Sequence, residues 1–77
     1  MSVFIIVNEW TDIDDITSSQ VVDSNYFTTE HAAWDALSQI AEAYEVGLHP
    51  AETSISMENH APGLQYEEYY IQELTRG

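Results

Sequence analysis

The stretch TTEHAAWDALSQIAEAYEVG, residues 28–47, decides the fold class. Thr28 or Thr29 offers an N-cap hydroxyl, and Glu30 places negative charge in the first turn, where the helix dipole favours it. Ala33, Ala36, Leu37, Ile40, Ala41 and Tyr44 recur at helical spacing on one side, with Trp34 on the flank. His31, Asp35, Ser38, Glu42 and Glu45 gather on the other side. Gly47 is the residue type that commonly takes the left-handed position after a helix, and His49-Pro50 prevents continuation. The pattern predicts one amphipathic helix over roughly residues 29–46.

On either side of this helix the sequence reads as strands. Val3-Phe4-Ile5-Ile6-Val7, extended by Asn8-Glu9-Trp10, is β-branched and aromatic. The polar, acidic run from Thr11 to Ser19 reads as a long hairpin connection, and Gln20 to Phe27 as a second strand. After the helix, Ile55 and Met57 alternate with Ser54, Ser56 and Glu58, which suggests a short third strand. Asn59 to Gly63, with Pro62-Gly63, reads as a turn, and Tyr66 to Leu74 as the last strand. The order is β-β-α-β-β, or β-β-α-β if the third strand fails. The fold class is therefore α+β, a single amphipathic helix packed on one face of a small, mostly antiparallel sheet.

The first and last strands carry apolar side chains on both faces, as central strands do. One helix covers one face only. Phe4, Ile6, Trp10 and Tyr70 are assigned to the face turned away from the helix, where they would form a partner or dimer interface. A second copy of the chain, the 48–65 segment or another protein are the candidate covers, and a homodimer is the expectation for the free protein.

Charge narrows the function classes. Fourteen Asp and Glu residues face one basic residue, Arg76, and there is no lysine, for a formal net charge of −13. The acids do not mark disorder, because 44% of the chain is hydrophobic and the longest acidic runs are the pairs Asp14-Asp15 and Glu67-Glu68. Residues 1–77 read as a single small acidic domain. Without cysteine there is no disulfide and no thiolate metal site, which suits a reducing compartment. No signal-like or membrane-spanning segment is visible, so a cytoplasmic location and no membrane partner are expected.

No motif for chemistry stands out. Asp12, Asp14 and Asp15 invite a Ca²⁺ reading, but an EF-hand loop would need Gly and Glu where Thr17 and Asp23 stand. His31, His49 and His60 are too scattered for a zinc signature, and His31 with Asp35 reads as a surface ion pair. The usual activated nucleophiles and oxyanion or phosphate clamps are mostly missing, so no enzyme activity and no cofactor are expected. Glu67 and Glu68 point to opposite faces of a strand and form no acid/base dyad.

The closing Asn8-Glu9-Trp10 of the first strand, Phe27-Thr28-Thr29-Glu30, the Ala-rich helix and Tyr69-Tyr70-Ile71-Gln72-Glu73-Leu74 together resemble small acidic proteins encoded by tailed bacteriophages. The resemblance implies a chain acting inside a bacterium, often against a host protein, and assigns no functional residue. With the charge, it leads to an expected inhibitor that covers a basic, nucleic-acid-binding surface of a host protein, in the manner of a DNA mimic. Asp12, Asp14, Asp15, Asp35, Glu42, Glu45, Glu67 and Glu68 are its candidate contacts. The alternative is a small homo-oligomeric structural or regulatory protein that interacts through its aromatic sheet face.

Direct binding of nucleic acid is not expected, since a chain without lysine releases few counterions from a phosphate backbone. A gel shift at low salt with micromolar protein should show no discrete DNA or RNA complex.

Overall fold

The computed structural model describes residues 2–22, 26–58 and 61–75. Asp23, Asn59, His60 and Arg76 lie outside the described residues, and with them parts of the expected second strand and of the 59–63 turn. The elements are β1 (Ser2–Asp12), β2 (Thr17–Val21), α1 (Glu30–Ala43), β3 (Ser54–Glu58) and β4 (Leu64–Thr75). The four strands form one antiparallel sheet in the order β2-β1-β4-β3. β1 and β4, the two strands apolar on both faces, are its centre. β2 and β3 are its edges, so the chain leaves one edge and returns at the other through a helix that packs on β1 and β4.

Thr29 caps the helix, its hydroxyl accepting from the Ala32 amide at 3.1 Å, with Glu30 in the first turn. Ala33, Leu37 and Ala41, one turn apart, are its buried stripe. Leu37 has no exposed surface and meets Ile6 of β1 and Ile55 of β3, with Phe27, Ile40, Val46, Tyr69 and Ile71 around them. The C-terminus differs from expectation. The Val46 amide donates to the Ala41 carbonyl at 2.8 Å and the Glu45 amide to that of Glu42 at 3.1 Å, the paired bonds of a Schellman motif. These bonds put Glu45, at φ 58°, in the left-handed position that the sequence assigned to Gly47.

The β1–β2 connection is also shorter than expected. The Asp15 amide donates to the Asp12 carbonyl, Asp15 sits at φ 63°, and the Asp12 amide donates to the Ile16 carbonyl. This is a tight turn closed by a left-handed residue, a common hairpin design. The Asp12 carboxylate accepts from the Asp14 and Ile16 amides at 2.8 and 3.1 Å and fixes the turn. β2 therefore starts at Thr17 and ends at Val21, instead of running from Gln20 to Phe27. Phe27 separately makes a two-bond bridge with Phe4. On the other side, the Leu64 amide donates to Ala61, and Pro62 and Gly63 (φ 85°) fill the centre of a type II turn leading into β4.

A left-handed residue with a side chain costs about 1–2 kcal/mol, and a carboxylate at a helix C-terminus opposes the dipole. Glu45→Gly should therefore stabilise the fold, and ΔΔG of about 1 kcal/mol would raise the Tm by roughly 4–8 °C in a domain of this size. Gly47→Ala, at a residue without positive φ and with open space around it, should move the Tm by less.

Candidate interaction surface

The register of the central strands decides which side chains share a face. Ile6 pairs with Ile71, Asn8 with Tyr69 and Trp10 with Glu67. Because directly paired residues project to the same side, the even-numbered positions of β1 lie with the odd-numbered positions of β4. Ile6 is 2% exposed in the helix-side core. Phe4, Ile6 and Trp10 are thus on the face under the helix, which corrects the expectation that they turn away from it. Tyr70 pairs with Val7 and stands on the opposite face, so the four residues do not form one patch.

The face without the helix has its own order. Val3 pairs with Leu74, and Ile5 with Gln72. The next row runs Val21–Val7–Tyr70–Ser54 across all four strands. Val7 is only 7% exposed there, shielded sideways by its row neighbours, whereas Val21 and Leu74 are open. Beyond it lies Ser19–Glu9–Glu68–Ser56, and then Thr17–Thr11–Tyr66–Glu58. The surface grades from aliphatic and aromatic at one end to carboxylate and hydroxyl at the other. Thr11 and Thr17 share a hydroxyl hydrogen bond of 2.9 Å in the last row. Glu9 and Glu68, both half-buried, are direct cross-strand neighbours. Like charges in that position destabilise a sheet.

The other predicted acids fall in separate places. Asp35, Glu42 and Glu45 are exposed on the outer side of the helix and its end. Asp35 lies 3.5 Å from His31 in a solvent-exposed pair, one helical turn away. Asp12, Asp14 and Asp15 are at the β1–β2 turn. There the Asp12 carboxylate serves the turn, and that of Asp15 accepts from Gln65 Nε2 at 2.7 Å. Two isoleucines the sequence reading passed over, Ile13 and Ile16, are 68% and 59% exposed beside them. Glu67 is not a surface contact. It is 8% exposed on the helix side and accepts from Asn8 Nδ2 at 3.1 Å, an amide that also donates to the Glu68 carbonyl at 3.2 Å. The chain thus distributes its acids over both sides of the sheet and brings two of the candidates, Asp12 and Glu67, into structural roles.

A shallow depression lined by Glu30, His31, Trp34 and Pro50 lies at the start of the helix, where Trp34 Nε1 donates to the Glu52 carbonyl at 3.0 Å. Among the described residues, no three His, Asp or Glu side chains gather in a metal-binding group. No described helix is long and apolar enough to cross a membrane. No protein family, curated protein or solved structure matches this chain.

Two tyrosines report on the two faces. Burial, then the hydroxyl contact with Tyr44 at 3.0 Å, then the nearby Glu67 carboxylate push the Tyr69 phenol well above its ordinary value of 10.0. Tyr66, on the open face, is also raised, by burial first and then by Glu68. A raised folded-state value means that stability is whole below the unfolded value near 10 and is lost as pH climbs beyond it. Urea unfolding measured from pH 8 to 11.5 should therefore show stability falling above about pH 10. Tyr69→Phe should make that fall shallower, with the Tyr66 contribution remaining.

Proposed function

We propose that this chain is an acidic protein-binding domain that occupies a basic surface of a partner, of the kind that otherwise holds a nucleic-acid backbone. The observation that carries the reading is the imbalance of fourteen acids against one basic residue, without lysine, on a folded scaffold. Complementary charge has to come from the other side of any interface. Such a field speeds encounter with basic proteins and repels nucleic acid and anionic lipid.

Asp35 and Glu42 lie two turns apart on the exposed side of α1, and Glu45 follows at its end. From Glu30 to Ala43 the helix rises about 20 Å. A duplex of that length carries a charge every ~1.7 Å, many more than the helix offers. The reading therefore rests on sign and total charge, with the acids of the β1–β2 turn adding to those of the helix. It does not require one carboxylate per phosphate. The resemblance to phage-encoded proteins supports a bacterial host protein as the target and inhibition as the outcome.

The test has two steps. Proteins from nuclease-treated bacterial lysate are captured on the immobilised chain at low salt and eluted with rising salt. Each is then loaded with a labelled DNA duplex and titrated with the free chain. Duplex displacement by wild type, with a markedly slower on-rate for the Asp35→Asn, Glu42→Gln, Glu45→Gln triple variant, is the expected result. Binding that is unchanged up to about 1 M salt, where the Debye length is ~3 Å, or capture of acidic proteins only, would overturn it.

A further inference from the structure

The Glu9–Glu68 pair sits in the middle of the sheet face that the helix leaves open, and among the described residues neither carboxylate has an ion pair. Both residues are half-buried, on the two central strands, where the β1–β4 ladder holds their backbones directly opposite each other. Their row neighbours, Ser19 and Ser56, are neutral, and the next row adds Glu58 beside Tyr66. The Tyr66 phenol, with its raised proton affinity, stays protonated and supplies a hydroxyl and a ring without further charge. One residue pair away in the other direction the face becomes Val7 and Tyr70, then Ile5. A negative seat thus adjoins an apolar strip on one continuous surface.

We propose that this open face binds an extended, arginine-bearing segment of a partner protein. The guanidinium lies over Glu9 and Glu68, and aliphatic side chains two and four residues away lie on Val7, Tyr70 and Ile5. This deepens the reading of the chain as a binder of basic proteins and rests on it. Arginine fits better than lysine because its planar fork can serve two carboxylates at once and stack on the rings of Tyr66 or Tyr70. An extended segment fits because its same-side residues repeat every ~6.8 Å, the spacing of alternate residues along a strand. Successive rows of the face are spaced by that same two-residue step. A second copy of the chain fits poorly. Face-to-face stacking would add another Glu9–Glu68 pair to the same interface, between two molecules of net charge −13.

The probe is a blocked nonapeptide, Ser-Val-Ser-Val-Ser-Arg-Ser-Arg-Ser, with both valines and both arginines on one side when extended. Its control has the same composition with the valines moved to the other side. Binding is read from amide shifts in two-dimensional NMR at physiological salt. The expected result is saturating shifts centred on Val7, Glu9, Glu68 and Tyr70, with the control at least about tenfold weaker. Glu9→Gln with Glu68→Gln should weaken the probe about tenfold, and its thermal midpoint, no lower than wild type, shows that it folds. The Asp35→Asn, Glu42→Gln, Glu45→Gln variant should bind the probe within about twofold of wild type, because distant exposed charges are screened. Equal binding of both peptides, shifts spread over the helix acids, or an unaffected Glu9/Glu68 variant would each overturn the proposal. So would concentration-dependent shifts at Val7 and Tyr70 without peptide, which would assign the face to a second copy. If captured partners respond to the helix variant but not to the Glu9/Glu68 variant, this inference fails while the proposed function stands. Partners that respond to neither variant and to no salt end both.

Discussion

The pairing of Ile6 with Ile71 is the contact on which the rest of the molecule depends. It joins two strands from opposite ends of the chain, and its register sorts every side chain of the sheet. A slip of one residue would exchange the two faces of one strand. Leu37 and Ala41 would then meet Ile5 or Val7 instead of Ile6, and Asn8 would lose its place beside Glu67. The cost of closing so long a loop is met by burial on the helix side, where Ile6, Leu37 and Ile55 are almost fully enclosed. Such nonlocal pairing is intrinsically slow to form. The helix and the β1–β2 hairpin, both local, can be in place before it.

The fold tolerates its charge by separating it. The helix acids, the turn acids and the open-face acids occupy three regions, and most remain in water, where interaction between distant charges is weak. Glu67 is the exception, and its carboxylate accepts from the Asn8 amide. Asn8 itself is 5% exposed, and among the described residues no buried side-chain nitrogen or oxygen lacks a partner. Acidity is therefore not an incidental coating. One carboxylate is built into the packing, and another pair is set opposite each other across the two central strands.

Much of this architecture was legible in the sequence, and the failures have a common physical origin. The helix was readable because its stripe, cap and first-turn acid are all local signals. β3 was readable from two residues, Ile55 and Met57, alternating with polar ones. The central position of β1 and β4 followed from their having two apolar faces. The errors came where a nonlocal bond or a backbone conformation overrode residue preference. Phe4, Ile6 and Trp10 were correctly grouped, but only the register reveals that their face is the one beneath the helix and that Tyr70 is not with them. Gly47 was the residue type expected at the helix end, yet the Schellman bonds place Glu45 there. β2 was misplaced because Ser18 and Ser19 have little strand preference. Its start is instead set by the Asp12 carboxylate and the left-handed Asp15. Glu67 and Glu68 show the same lesson at the candidate site. Alternation separates them, but the sequence alone does not say which one is buried.

The β1–β4 ladder also fixes how the domain answers to force. Ser2 and Thr75 are paired directly, so the two ends of the described fold stand about 5 Å apart. Tension applied across them does not shear the ladder, which would load all of its hydrogen bonds together. It opens the ladder from one end, a pair at a time, beginning with Ser2 and Thr75, then Val3 and Leu74, and reaching Ile6 and Ile71 soon afterwards. Opposite the helix, the same geometry lets the domain hang from a tether at one end of the sheet while the Glu9–Glu68 row faces outward, several residues from the point of attachment. The molecule is therefore mechanically soft along the line joining its ends, although its heart is closely packed.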